Sequence, residues 1–208
     1  MKKIGSLIKK LLIGFGILFL IGIIVDSGDS GNNVSTIESE ESSASQATLE
    51  KESIDGSTLI KKEGIAYAPD SDKPFSGTVV YATSAMGGKL FYTYKDGGKN
   101  GLYIYYHVNG QKKEKGTYKD GKQDGLKTSW YSNGQKEIEQ TIKNGKIVGV
   151  WTWWYENGQK EEEGTFKDGE QDGKWTHWWE NGQRMSENTY KNGELIEWTY
   201  WNEDGNKR

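Results

Sequence analysis

Residues 149–173 read G-V-W-T-W-W-Y-E-N-G-Q-K-E-E-E-G-T-F-K-D-G-E-Q-D-G. The stretch holds two turn signals with a short run before each, and the chain repeats it. N-G-Q begins at Asn109, Asn133, Asn157 and Asn181, evenly spaced. Lys-(Asp/Asn)-Gly begins at Lys95, Lys119, Lys143, Lys167 and Lys191 with the same period, and a lone glycine recurs at Gly101, Gly125, Gly149 and Gly173. Three markers sharing one period indicate a repeat architecture. The runs between turns, such as residues 150–156 and 160–167, have ordinary strand length. Asn-Gly favours a type I′ turn, with φ > 0 at both central positions, and Lys-Asp-Gly is a second hairpin signal. Each unit is therefore expected to be a hairpin, and the whole an all-β, elongated antiparallel hairpin meander of roughly ten strands from about residue 75 onward.

Stacking the periods gives fixed columns. Tyr106, Trp130, Trp154, Trp178 and Trp201 form one, and Ile104, Thr128, Thr152, Thr176 and Thr199 lie two residues earlier on the same face. Tyr131, Tyr155 and Trp179 form another column, with Trp151, Trp175 and Trp198 related to it. The second strand contributes Tyr118, Ile142, Phe166 and Tyr190. A ladder of aromatics from neighbour to neighbour is the expected source of cohesion. On this reading Trp154 and Trp178 are shared ladder residues whose loss costs several kcal/mol. Aromatics on both faces exceed what a one-sided meander needs. Either both faces pack, or one is left for a partner.

These residues resemble the bacterial variant of the MORN repeat. Gly64-Ile65-Ala66-Tyr67 and residues 71–77 are similar to the start of the YwqK-type antitoxin family. The resemblance covers about residues 57–208. It implies a β-repeat fold, no catalytic residues, and a protein partner that in the most specific case is a toxin.

Ahead of the repeats the composition changes twice. Leu11 to Val25 is uncharged throughout, preceded by Lys2, Lys3, Lys9 and Lys10. As a helix it spans about 22 Å, and snorkelling lysines extend that toward the ~30 Å of a hydrocarbon core. Residues 1–25 are expected to be a transmembrane anchor or a secretory signal. Either places the repeats outside the cytoplasm, single-pass at the cell membrane or secreted after cleavage. Residues 26–56 are rich in Ser, Asp and Glu with Lys51 the lone basic residue. They are expected to be a disordered linker, leaving 57–208 as the repeat domain.

Composition excludes much else. There is no Cys, so no disulfide scaffold, zinc ribbon or thiol nucleophile. His107 and His177 are single replacements in mostly aromatic columns and read as ordinary strand residues. The 27 basic residues less the four N-terminal lysines leave 23 against 30 acidic, a net −7. That speaks against nucleic acid and anionic lipid as partners. The D-G-x-x-D-G segments at 120–125 and 168–173 lack the alternating acidic pattern of a calcium loop, and a meander offers no cleft where two carboxylates converge. No enzyme, metal or cofactor is expected. The candidate binding or core residues are Tyr106, Trp130, Tyr131, Trp151, Trp154, Tyr155, Trp175, Trp178, Trp179, Trp198 and Trp201. The function expected is that of a membrane-anchored, protein-binding scaffold. The alternative is a cell-wall or glycan-binding module, since the repeats also resemble the aromatic hairpins of wall-binding proteins.

Overall fold

The computed structural model describes residues 46–82 and 88–208. The expected anchor or signal over residues 1–25, and the linker up to residue 45, lie outside the described residues. Among the described residues no helix is long and apolar enough to cross a membrane.

A short helix over residues 46–52 leads into β1 (Ser53–Asp55), a 3-10 turn (Gly56–Thr58) and the hairpin β2 (Ile60–Lys62) and β3 (Ile65–Tyr67). The meander follows: β4 (Gly77–Ala82), β5 (Lys89–Lys95), β6 (Gly98–Tyr106), β7 (Lys112–Lys119), β8 (Lys122–Gln123) and β9 (Gly125–Trp130). It continues with β10 (Lys136–Lys143), β11 (Lys146–Trp154), β12 (Lys160–Lys167), β13 (Glu170–Gln171), β14 (Gly173–Trp178), β15 (Arg184–Lys191) and β16 (Glu194–Tyr200). Apart from the two-residue β8 and β13, which pair with β7 and β12, β4 to β16 join in sequence order into one antiparallel sheet, with β1 added parallel at the β4 edge. This is the all-β meander that the period predicts.

Residues 46–56 correct the expected boundary. They were expected within the disordered linker, yet they hold the helix and β1, where Ser53 pairs with Thr78. Their composition alone cannot offset chain entropy. Burial of Leu49 and Ile54 against the sheet supplies what local propensity lacks.

The turns also differ from expectation. Asn109, Asn133, Asn157 and Asn181 do not take positive φ; only the following glycines do, Gly110 at 83° and Gly134 at 87° for example. Gly134 N–H donates to the Tyr131 carbonyl and Tyr131 N–H to the Gln135 carbonyl, which makes a longer loop closed by a left-handed glycine. The Asn133 side chain caps it by accepting from Gln135 N–H at 2.9 Å. The two-residue turns with both φ positive are instead the Lys-(Asp/Asn)-Gly ones, as at Asn144 (52°) and Gly145 (82°), with Lys143 paired to Lys146. An Asn side chain can serve a turn by hydrogen bonding as well as by tolerating φ > 0, and in N-G-Q the first use prevails.

The two faces of the sheet are unlike. One, the packed face, carries Tyr103, Trp151, Phe166, Trp175 and Tyr190. Trp175 is 1% exposed, with ring centroids 5.5 Å from Trp151, 5.0 Å from Phe166 and 6.1 Å from Tyr190. Glycine makes room for it: a Cβ at Gly164 would overlap the Trp175 ring, and one at Gly116 would overlap Tyr103. At the β4 end the same face is closed by Ala66, Phe75 and Leu59 against Val79 and Tyr94. Among the described residues, the opposite face is covered only at its start, where Leu49 of the helix packs on Phe91, Ile104 and Tyr106. From β7 onward no described element covers this open face.

Candidate functional site: the open face

Strand register orders the open face into rows. One row alternates aromatic and basic residues: Trp130, Lys136, Trp154, Lys160, Trp178, Arg184 and Trp201. Register pairs Trp130 with Lys136, Trp154 with Lys160 and Trp178 with Arg184. Each cation also reaches forward to the next ring, at 5.5 Å from Lys136 to Trp154, 5.9 Å from Lys160 to Trp178 and 5.4 Å from Arg184 to Trp201. The next row alternates threonine and carboxylate: Thr128, Glu139, Thr152, Glu163, Thr176 and Glu187. The rows are tied together by ion pairs, Lys136–Glu139 at 2.7 Å, Arg184–Glu187 at 3.0 Å, and Lys160–Glu163. Beyond the threonine row, register pairs Leu102 with Thr117, Leu126 with Thr141 and Val150 with Thr165. Leu126 and Val150 are exposed.

The sequence candidates thus separate into three groups. Trp130, Trp154, Trp178 and Trp201 line the open face and are half-buried. Tyr106, in their column, is fully buried because the helix lies over it, and burial pushes its phenol up to about 12. Trp151 and Trp175 belong to the packed face. Trp198, in their column on the edge strand β16, is 66% exposed. Tyr131, Tyr155 and Trp179 lie just past the strand ends, where their polar tips bridge to the following unit. Tyr131 and Tyr155 donate to the carbonyls of Trp154 and Trp178 at 2.7 and 2.8 Å, and Trp179 Nε1–H to that of Trp201 at 3.3 Å.

The two histidines fall in these frames. His107 occupies the bridging position of the first unit, its Nε2 2.9 Å from the Trp130 carbonyl. An N–H on Nε2 makes that bond the counterpart of the tyrosine bridges. His177 is on the packed face, its Nδ1 3.6 Å from Glu162 Oε1, and Asn188 Nδ2 lies 3.3 Å from its Nε2. Burial lowers the His177 pKa, and burial, with Glu161 adding to it, raises Glu162 to about 7. Both are held toward their neutral forms.

The second aspartate of each D-G-x-x-D-G segment, Asp124 or Asp172, has structural partners. Asp124 N–H donates to the Thr117 carbonyl at 3.0 Å, and its carboxylate accepts from Asn144 N–H at 3.1 Å. Among the described residues no cluster of His, Asp or Glu is disposed to hold a metal.

Two parts of this surface escaped the sequence reading. The basic row was legible in principle, because Lys112, Lys136, Lys160 and Arg184 recur with the period of the turns. A groove of about 420 Å³, lined by Leu102, Lys115, Thr117, Leu126, Trp130 and Glu139 among others, was not. Among the described residues, nothing lies over it.

Residues 99–120, 123–144, 147–168 and 171–192 each match the family described as MORN repeat variant. No curated protein matches the chain. The matched segments follow one another with the period of the turns, and each runs from the first strand of one hairpin to the second two-residue turn. Across residues 99–192 the chain thus carries four successive segments that are similar to the MORN repeat variant.

Proposed function

We propose that the protein is a non-catalytic scaffold that binds another protein through the open face between Leu126 and Trp178. One observation carries the reading. Trp130, Trp154 and Trp178 stand in a row, each with a cation and a carboxylate beside it, and no described element covers them. Large half-buried aromatics ringed by charge are what protein contacts use most, because they bring apolar area at low entropic cost. MORN repeats are in general modules that bind proteins or membranes. The apolar run before residue 26 supports a finer reading, in which the scaffold is tethered to a membrane with its repeats outside the cytoplasm, or secreted once that run is removed. The most specific version is a neutralising, immunity-type partner of a toxin, which rests on the resemblance to the YwqK-type family.

The glycan reading is weaker. A sugar ring needs the bare face of an indole, and Lys160 and Arg184 already lie over Trp178 and Trp201. Affinity capture with the full chain, against native extract and isolated cell wall of the source cells, tests the choice. A stoichiometric protein retained by the wild type and lost with Trp154→Ala/Trp178→Ala supports the scaffold. Sedimentation with wall polysaccharide and no protein partner would promote the glycan reading.

A further inference from the structure

We infer that the groove beside Trp130 receives an acidic amphipathic helix of the partner protein, anchored by a leucine-type side chain. The inference rests on the protein-binding reading of the open face and names the partner's chemistry.

The molecule already shows one such helix on this face. Residues 46–52 lay Leu49 onto Phe91, Ile104 and Tyr106, with Leu102 at the side of the same cluster. Glu50 adds an ion pair with Lys89 at 2.7 Å. The groove begins where that interface ends, since Leu102 belongs to both. One repeat further on, Leu102, Ile104 and Tyr106 become Leu126, Thr128 and Trp130. The apolar floor persists there with no described element over it, and Leu126 is 56% exposed.

Charge sets the sign of the partner. Later units place Glu139, Glu163 and Glu187 in the row where this one has Lys115. Lys115 is exposed and pairs with no carboxylate among the described residues. It stands ready for an incoming carboxylate as Lys89 does for Glu50. The backbone of β7 and β9 is paired on both sides within the sheet, so an extended peptide would find no ladder to join. A helix satisfies its own backbone and needs only side-chain contacts.

The probe is a stapled helical peptide with the sequence of residues 44–55, labelled with fluorescein and carrying a photo-crosslinker at the position of Leu49. It is titrated into the full chain by anisotropy. Saturable binding is expected, with crosslinks on Leu126 or Trp130 and a loss of about tenfold in affinity in Lys115→Glu. Leu126→Asp, at an exposed site, should weaken binding as well, whereas Lys174→Glu, further along the same face, should not. Circular dichroism confirms that each variant is folded. Absence of binding overturns the inference, as do crosslinks confined to Phe91 and Ile104, which mean exchange with the chain's own helix. Equal affinity in Lys115→Glu overturns it too. These failures leave the scaffold reading standing, because that reading falls only with the capture experiment on Trp154 and Trp178.

Discussion

The Tyr131 hydroxyl donates a hydrogen bond of 2.7 Å to the carbonyl oxygen of Trp154, in the following repeat. Tyr155 makes the same bond to Trp178, and His107 and Trp179 fill the position at the two ends of the array. A second set runs alongside, from Asn133 Nδ2 to the Glu156 carbonyl at 2.9 Å and from Asn157 Nδ2 to the Glu180 carbonyl at 3.0 Å. These carbonyls belong to loop backbone and strand ends that the β-ladder does not serve. Side chains of one unit thereby fasten the turn of the next, which is how a nearest-neighbour array gains cohesion.

Tyr131→Phe and Tyr155→Phe remove the donor and keep the ring. Each is expected to cost about 1 kcal/mol, the net worth of one hydrogen bond, with urea midpoints reading the loss. Midpoints unchanged in both variants would show that water replaces the bridge at no cost.

Gly164→Ala places a methyl group into the Trp175 ring. The backbone on both sides is held in the sheet, so the ring must move, and about 2 kcal/mol of destabilisation is expected. Gly98→Ala is the control: its nearest neighbour is the Lys95 carbonyl at 3.8 Å, and its φ is not positive. That variant should melt within a degree or two of the parent.

Trp175→Ala and Trp154→Ala separate the two faces. Trp175 is enclosed, so its loss should cost about 3–5 kcal/mol. Trp154 is half-buried under a lysine, and its loss should cost about 1–2 kcal/mol. The sequence reading expected several kcal/mol at Trp154, because identical columns do not reveal which face is enclosed. Calorimetric melting of the two variants measures the difference.

Glu162 titrates near 7 when folded and near 4.5 when unfolded, because burial favours its neutral form. A raised carboxyl pKa contributes stability that is full below pH 4.5 and lost as pH rises through 7. Glu162→Gln is therefore expected to melt a few degrees above wild type at pH 8, the gain shrinking toward pH 4. His177 has the opposite sign. Its lowered pKa contributes stability above about pH 6.5 that is lost as pH falls through the folded value, in parent and variant alike. An equal offset at both pH values would show that the carboxylate is solvated in the folded state.

Much of this protein was legible before any coordinate. The constant period, with turn residues at fixed offsets, determines the hairpins, the strand order and the columns, because side-chain alternation and turn chemistry are local rules. The turn types were partly misread, since an Asn that accepts a hydrogen bond and an Asn at positive φ look alike in a sequence. The burial of Trp175 and the openness around Trp130 were beyond it altogether. Both tryptophans repeat with the same period, and only the third dimension shows that one face closes on itself around Gly164. That Leu49 reaches across to Tyr106 is likewise a tertiary decision. A weakly apolar segment orders itself only when a distant surface is already built to receive it.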